Sequence, residues 1–201
     1  MKIAKIICCA LVVCGGIITG CGDDDVSNAE DERPAGSYDV VSDDDLDMFA
    51  EAGVSIYGGT DAPSIEGTYL MNDLEQTYKS HSEIDPDYTI VDYYYTFTPT
   101  DAEEYGLEVA LEAPSEDHLV EGIGGYISGT DECFTIYAET SQTANDGNCT
   151  ITNAELFSGC VGNNAIEDFE NAYLRTGLDG DCGDREGQTL NVIEDDYCPK
   201  Q

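Results

Sequence analysis

The acidic, glycine-rich stretch DGDCGDREG (179–187) has the residue types of a metal-binding loop. Calcium takes about six to eight oxygen ligands, and closely spaced carboxylates supply them. The spacing departs from that of an EF-hand, because Gly183 occupies the fifth position, where that loop needs an acidic or amide side chain. The chain contains 43 acidic residues, so such clusters also arise without a metal. We therefore favour a solvated loop over a calcium site and predict no metal.

The other reactive side chains do not combine into a recognisable active site. His81 and His118 are the only histidines, whereas catalytic zinc usually has about three protein ligands. Ser128 lies in GYISG, which lacks the G-x-S-x-G spacing of a nucleophile elbow. The pair Glu103-Glu104 has groups that can exchange protons, but nothing singles it out among many carboxylates. The sequence therefore predicts no catalytic residue and no cofactor.

The tyrosine-rich stretch YTIVDYYYTF (88–97) is the strongest candidate for a binding surface. Side chains alternate across a strand, so Tyr93, Tyr95 and Phe97 share one face. Aromatic walls with polar tips suit ligand cavities, but they suit ordinary cross-strand packing as well. We take packing as the commoner explanation and keep these three residues as candidates for lining a cavity.

Short alternating segments elsewhere predict the elements that position these side chains. Turn clusters such as EIDPD, APSED and ANDG separate the segments, and AIEDFENAYL (165–174) fits a helical turn or a strand. Clear strand patterns occur at 107–111 and 134–138, with weaker ones near 65–71, 119–128, 149–157, 169–176 and 189–194. About eight strands predict an all-β, single antiparallel domain. A lipocalin-like barrel is favoured over a sandwich, because closure removes exposed strand edges and about eight strands enclose one small ligand.

The part before the strands divides into a leader, a tether and a short helix. Residues 22–45 are polar and acidic, which is typical of a flexible tether. Asp43-Asp44-Asp45 and the following apolar residues predict a helix near 45–52 that ends at Gly53. We divide the chain into a signal peptide (1–20), a tether (21–45) and a β-rich domain (46–199).

The first twenty residues have the pattern of a secretory leader. Lys2 and Lys5 precede an uncharged run from Ile6 to Gly20. The run is shorter than the roughly 20 residues that span a bilayer, and no later segment is apolar for long enough. We therefore expect no transmembrane helix in the mature chain.

Cys21 follows Ile18, Thr19 and Gly20, the one place in the leader where small residues precede a cysteine. This stretch resembles the lipobox of bacterial lipoproteins, in which the cysteine is acylated, for example with palmitate, and becomes the new N-terminus. The alternative is a plain secretory signal with an incidental cysteine. The resemblance implies stable membrane anchoring, since two or more acyl chains hold a protein on a bilayer. Gly22 after the cysteine implies the outer membrane, with the domain on its periplasmic or cell-surface face.

The charge balance excludes several classes of partner. The full chain has a net charge of −36. Cleavage of the leader would remove Lys2 and Lys5 but none of the 43 acidic residues, so the mature chain would be still more negative. Such a surface repels nucleic acid and anionic lipid headgroups. We expect no nucleic-acid partner.

Five cysteines follow the lipobox, and an exported, oxidising compartment favours disulfides. Asp146-Gly147 is a favoured centre of a two-residue hairpin turn, and it would place Cys133 directly opposite Cys160. Opposed residues lie within the Cα distance that a disulfide spans. We predict a Cys133–Cys160 bridge, a Cys182–Cys198 bridge that closes the C-terminal loop, and Cys149 left over; other connectivities stay open.

The stretch LDMFAEAGVSIYGGTDAPSIEGTYLMNDL (46–74) is similar to the domain start of a group of uncharacterised bacterial lipoproteins. The shared pattern is a short helix, then Gly53, Ile56, Tyr57 and Gly59, then IEGTY (65–69). Further similarity lies in 92–99, 124–139 and 154–159, whereas the cysteine-rich ending at 182–198 departs from the group. The resemblance implies an envelope location and a β-rich fold, and it transfers no catalytic residue. The GTY motif is also similar to the lipocalin G-x-W motif.

These observations lead to a function hypothesis with two rivals. We expect a membrane-anchored envelope lipoprotein whose domain is a non-enzymatic binding module for a small apolar ligand or an envelope protein. The first rival is a structural or adhesive surface protein that acts through its outer face. The second is a hydrolytic enzyme, which requires clustered carboxylates with shifted pKa values in a cleft.

Overall fold

The computed structural model describes residues 33–80, 90–101, 105–116, 118–143, 148–182 and 189–201. The leader, the lipobox residues 18–20 and Cys21 lie outside these ranges, so their interpretation stays a prediction. His81, the pair Glu103-Glu104 and most of the acidic loop at 179–187 also lie outside the described residues. No helix among the described residues is long and apolar enough to cross a bilayer.

Nine strands form one antiparallel sheet in the described part of the chain. The domain is therefore all-β, as predicted, and its described residues also form one α-helix and two short 3₁₀-helices at Ala35–Asp39 and Pro114–Glu116. The helix is α1 (Asp43–Glu51), and the strands are β1 (Gly67–Met71), β2 (Glu75–Lys79), β3 (Tyr93–Pro99), β4 (Gly106–Ala113), β5 (His118–Thr130), β6 (Cys133–Thr143), β7 (Cys149–Gly162), β8 (Ala165–Gly180) and β9 (Leu190–Pro199).

The order of strands in the sheet brings its two edges together. Strands β3 to β9 pair consecutively, while β1 pairs with β3 and β2 pairs with β9. Since β1 and β2 are joined by residues 72–74 alone, opposite edges of the sheet must lie close to each other. The bridge between Tyr69 and Lys200 also joins β1 to the chain end. The sheet is nevertheless not closed into a barrel by continuous pairing, so the choice between barrel and sandwich stays a prediction.

Asp195 in β9 holds the connection between β1 and β2 in place. Its side chain is buried, and Oδ2 accepts hydrogen bonds from the backbone N–H groups of Asn72 and Asp73 at 3.0 and 3.3 Å. Its Oδ1 accepts a further bond from the N–H of Tyr197 at 3.0 Å. Three donors around one carboxylate satisfy a buried charged group that would otherwise be costly.

The two faces of the sheet bury different sets of apolar side chains. On β7, neighbouring residues Leu156 and Phe157 point into separate clusters, as expected from the alternation along a strand. We call the clusters the inner core and the outer core. The inner core comprises Ile65, Tyr69, Met71, Leu74, Tyr95, Phe97, Leu107, Val109, Phe134, Ile136, Ala138, Phe157, Ile166, Phe169, Ile193 and Cys198. The outer core comprises Val41, Leu46, Phe49, Val54, Tyr137, Ala154, Leu156, Ala172, Leu174, Leu190 and Val192.

The inner core is enclosed because the sheet curls over it. Tyr95 on β3 and Phe169 on β8 stand five places apart in the strand order, yet their ring centroids are 5.4 Å apart. Tyr95 also contacts Phe157 on β7 at 5.7 Å. Residues so distant within a flat sheet cannot touch, because neighbouring strands are spaced by about 4.8 Å.

Helix α1 covers the outer core through Leu46 and Phe49. It begins after Ser42, whose hydroxyl accepts from the backbone of Asp45 while the Asp45 carboxylate accepts from the backbone of Ser42. This reciprocal capping box explains why the helix starts at Asp43, two residues before the predicted start. Its observed range of Asp43–Glu51 otherwise agrees with the predicted helix near 45–52.

The structure packs residues 33–45 onto the outer face, although the sequence predicted a flexible tether up to residue 45. Arg33 is buried, donates from Nη1 to the carbonyl of Val41 at 2.8 Å and pairs with Asp43. Its guanidinium lies 3.8 Å from the ring centre of Tyr38. The acidic composition of this segment predicted a flexible tether. The contacts of Arg33 join residues up to ten positions apart, and such contacts cannot be recognised from composition.

The Cys133–Cys160 disulfide is confirmed. Strands β6 and β7 keep one unbroken register from Thr143↔Thr150 to Cys133↔Cys160, as the hairpin turn predicted. The predicted Cys182–Cys198 bridge is wrong.

Cys182 is bonded to Cys149, and Cys198 is a free, buried thiol in the inner core. The physical reason is that β7 and β8 stay paired as far as Cys149↔Gly180. Cys182 is only two residues beyond Gly180, so it lies next to Cys149. The ambiguous stretch 165–174 belongs to this long strand β8.

Candidate functional site

Two of the three predicted cavity-lining residues are packing residues of the inner core. Tyr95 and Phe97 are each 1 % exposed. Phe97 lies 5.9 Å from the ring of Tyr69 and 6.4 Å from that of Phe157, centre to centre. Their faces are therefore occupied by other aromatic rings, in the tilted and edge-on arrangements that such rings prefer. Tyr93, at the start of β3, is half-buried and borders this aromatic region.

The inner face changes from apolar to polar next to these rings. On β7, Asn153 and Glu155 follow the alternation of Phe157 and so share its face. Glu155 lies opposite Ala138 on β6 and Tyr173 on β8, and Asn153 lies opposite Thr140. Asn171 on β8 stands opposite Phe157 and completes the group. We call Thr140, Asn153, Glu155, Asn171 and the hydroxyl of Tyr95 the Glu155 cluster.

Hydrogen bonds connect the members of the Glu155 cluster. Thr140 Oγ1 donates to Glu155 Oε1 at 2.5 Å, and Asn153 Nδ2 donates to Thr140 Oγ1 at 3.2 Å. Asn171 also donates to the Glu155 carboxylate, and its Oδ1 accepts from the Tyr95 hydroxyl at 3.4 Å. A second bond from Asn171 Nδ2 reaches the carbonyl of Leu156 at 3.3 Å. The network fixes the carboxylate between β6 and β8, and all its donors are neutral.

Burial dominates the electrostatics of Glu155. The side chain is 8 % exposed, and burial raises the pKa of its carboxyl group to about 7, although the hydrogen bonds from Thr140 and Asn171 act in the opposite direction. Burial also raises the pKa of Tyr95 well above its ordinary value, with smaller contributions from Glu155, Tyr93 and Tyr173. The half-buried Tyr93, whose ring centre lies 6.1 Å from that of Tyr95, and Tyr173, opposite Glu155 on β8, border the cluster.

A carboxyl group that titrates near neutral pH in a buried site has two chemical uses. It can exchange a proton, or, when ionised, it can hold a cationic group. Hydrolysis by paired carboxylates would need a second acid beside it, and Glu155 is the one acid of this cluster. The described residues contain no group of three or more histidine, cysteine or acidic side chains that could hold a metal ion.

Two further reactive side chains, the half-buried Glu170 and the buried Cys198, make contacts that stabilise the fold. Glu170 on β8 accepts from the backbone N–H and the hydroxyl of Ser55 at 2.6 and 3.2 Å, so it fastens the N-terminal segment to the sheet. Burial raises its pKa, while the two bonds from Ser55 lower it. Burial and, secondly, Asp195 raise the pKa of the Cys198 thiol far above its usual range, which makes the thiolate inaccessible at neutral pH.

The sequence analysis missed Glu155, although a signal was present. Once the Cys133–Cys160 register is accepted, Glu155 falls opposite Ala138 and on the same face as Phe157. An acidic residue on the apolar face of a strand is the kind of exception that marks a functional group. Among 43 acidic residues this one does not stand out until the two faces of β7 are assigned.

Comparison of the chain with known protein families, curated proteins and solved structures gives no match.

Proposed function

We propose that this protein is a membrane-anchored bacterial envelope lipoprotein and that its domain is a non-enzymatic binding module for a small ligand. The leader and the lipobox ending at Cys21 support export and anchoring. The two disulfides, Cys133–Cys160 and Cys149–Cys182, fit an oxidising compartment.

One observation carries the binding role. The inner face holds a wall of aromatic rings and, beside it, the Glu155 cluster with its single buried carboxyl group. Ligand sites typically combine mostly apolar walls with a few placed polar groups. Because Tyr95 and Phe97 are packed against other rings, we propose that the ligand binds at the polar side of this wall, next to Tyr93. The sequence alone suggested a small apolar ligand or an envelope protein as the partner.

The finer fold is part of the same proposal. We favour a barrel-like curl over a sandwich, because β1 and β2 lie at opposite edges of the sheet and are joined by residues 72–74. Contact between Tyr95 and Phe169 across the interior supports this curvature. A ligand in such a sheet would lie on the inner face rather than between two separate sheets.

Neither rival has comparable support. An adhesive outer face requires a contiguous exposed aromatic patch. The large exposed apolar side chains of the described residues are Tyr38, Tyr78 and Tyr197, which lie on three different elements. A hydrolytic enzyme would require clustered carboxylates, whereas the Glu155 cluster has one.

Native mass spectrometry of the protein purified from its own membrane tests the proposal. We expect a chain that begins at Cys21 with acyl groups attached and carries a small bound molecule. The Cys21→Ser variant should no longer be recovered with the membranes. The Cys14→Ser variant, the matched control inside the leader, should still be recovered with them. An unmodified chain that retains its leader would contradict the location, and an acylated chain without any bound molecule would contradict the binding role.

A further inference from the structure

We propose that strand β2 is a hinged gate at the edge of the sheet, and that it opens away from β9 to admit a ligand to the inner face. This inference rests on the proposed binding function and names the route by which the ligand enters. The carboxylate of Asp195 fixes the hinge, Ser80 holds the gate closed, and a row of opposed glutamates favours its opening.

Strand β2 is held by few contacts. Within the described part of the chain it pairs only with β9, four of its five side chains are exposed, and none is buried. An irregularity between Gln76 and Tyr78 also interrupts its register with β9. Segments with few buried apolar contacts open locally at a lower free energy than the rest of a fold. We therefore expect β2 to open without unfolding of the domain.

The two ends of β2 are held in different ways. Before the strand, the buried Asp195 accepts from the backbone of Asn72 and Asp73, and the next residue, Leu74, packs in the inner core. These buried contacts make residues 72–74 the hinge.

After the strand, the half-buried Ser80 is joined to Leu190 by two hydrogen bonds. Its backbone N–H donates to the carbonyl of Leu190 at 2.9 Å, and its hydroxyl accepts from the N–H of Leu190 at 2.8 Å. No buried carboxylate is involved at this end, so opening begins at Ser80 and turns about residues 72–74.

Three glutamates oppose one another across β2, β9 and β8. Glu75 lies directly opposite Glu194, and Glu194 lies directly opposite Glu170. Like charges that face each other on neighbouring strands destabilise the pairing. The side-chain partners of this row are neutral hydroxyl groups, Ser55 for Glu170 and Thr77 for Glu194. Because movement of β2 separates Glu75 from Glu194, their repulsion lowers the free energy of opening.

The opened seam leads to the inner face beside the Glu155 cluster. Gln76, Ile193 and Asn171 lie opposite one another in one row across β2, β9 and β8. Ile193 belongs to the inner core, so this row lies on the inner face. Asn171 is a member of the Glu155 cluster, and only β9 separates its strand from β2. A ligand that enters between β2 and the core therefore reaches the polar side of the aromatic wall.

Hydrogen–deuterium exchange of the full-length protein, with both disulfides oxidised, tests the gate. At pH 7.5 we expect the protected amides of residues 75–79 to exchange about a hundredfold faster than those of residues 133–143 in β6. Strand β6 is the internal reference, because it pairs on both sides and is tied to β7 by the Cys133–Cys160 disulfide.

Three variants separate the glutamate row from the latch. Glu194→Gln keeps an oxygen that can accept from Thr77 but removes the charge, so it should slow exchange in β2 about fivefold. Glu139→Gln is the matched control, since Glu139 is an exposed acid on β6, and it should leave exchange in β2 unchanged. Ser80→Ala removes the acceptor of the Leu190 N–H and should speed this exchange about fivefold.

The outcomes distinguish the gate from the broader function. Exchange of β2 at the rate of β6 would mean that β2 opens only when the whole domain unfolds, and it would overturn the gate. Equal exchange in Glu194→Gln and in the wild type would overturn the role of the glutamate row. Neither measurement needs a ligand, so a failed gate leaves the binding role standing. Fast exchange in β2 of a protein that carries no molecule from its own membrane would instead overturn the binding role.

Discussion

Replacement of Glu155 by glutamine should make the protein more stable, and increasingly so as the pH rises. Folding raises the pKa of this carboxyl group from 4.5 to about 7, so between these values the folded state holds a proton that the unfolded state has released. Stability therefore falls as the pH rises through this window and becomes constant above it. Glutamine keeps the shape of the side chain and an oxygen that can accept from Thr140, but it has no charge to bury.

The size of the effect follows from the shift. A shift from 4.5 to about 7 corresponds to about 3 kcal/mol in the free energy of unfolding across the full window. Between pH 5 and 8.5 the stability difference between Glu155→Gln and the wild type should grow by about 2.5 kcal/mol, with the variant the more stable. Most single substitutions in a core have the opposite sign.

Urea denaturation followed by far-ultraviolet circular dichroism measures this difference. Both disulfides should stay oxidised, and the ionic strength should be fixed near 0.15 M, where the Debye length is about 8 Å and general charge repulsion is screened. Glu139→Gln serves as the control for removing one negative charge from an exposed position. The reasoning about burial is refuted if the difference between Glu155→Gln and wild type is the same at pH 5 and at pH 8.5.

Three further predictions concern the framework. Gly129→Ala should destabilise the domain by about 3 kcal/mol, because a Cβ there would collide with the backbone of β6, whereas Gly124→Ala on the same strand meets nothing and should be close to neutral in urea denaturation. Removing the second disulfide with Cys149→Ala and Cys182→Ala should lower the free energy of unfolding by about 3.5 kcal/mol, and an unchanged denaturation midpoint would contradict a structural role. Iodoacetamide at pH 8 should leave the buried Cys198 unmodified in the native protein and alkylate it in urea, as peptide mass mapping would show; native labelling would disprove its burial.

The sequence predicted correctly those strands and that helix which are determined by interactions between neighbouring residues. The alternation of residues 134–138 and the turn predicted at Asp146-Gly147 gave the register of one hairpin, and this predicted the Cys133–Cys160 bridge that the structure confirms. Helix α1 follows from its acidic first turn, and each predicted strand overlaps an observed one. The alternation of apolar and polar residues is visible in these strands because each strand has a face that packs against a core.

The misses have a different cause, since each depends on contacts between distant parts of the chain. Strand β2 (EQTYK) has no apolar face, because it is an edge strand whose side chains are mostly exposed. The partner of Cys182 depends on how far β8 continues beyond residue 176, where the predicted strand stopped. The packing of Arg33 and the burial of Glu155 likewise arise from elements that the local sequence does not reveal.

The separation of β1 and β2 onto opposite edges bears on the order in which the chain can fold. β2 is made early, but its partner β9 is the last strand to be synthesised, and the Asp195 carboxylate that fastens residues 72 and 73 arrives with it. Contacts between such remote segments carry a large loop-closure entropy and form slowly. Strand β2 must therefore wait without its partner until β9 has been synthesised, so this edge of the sheet is the last to reach its native pairing.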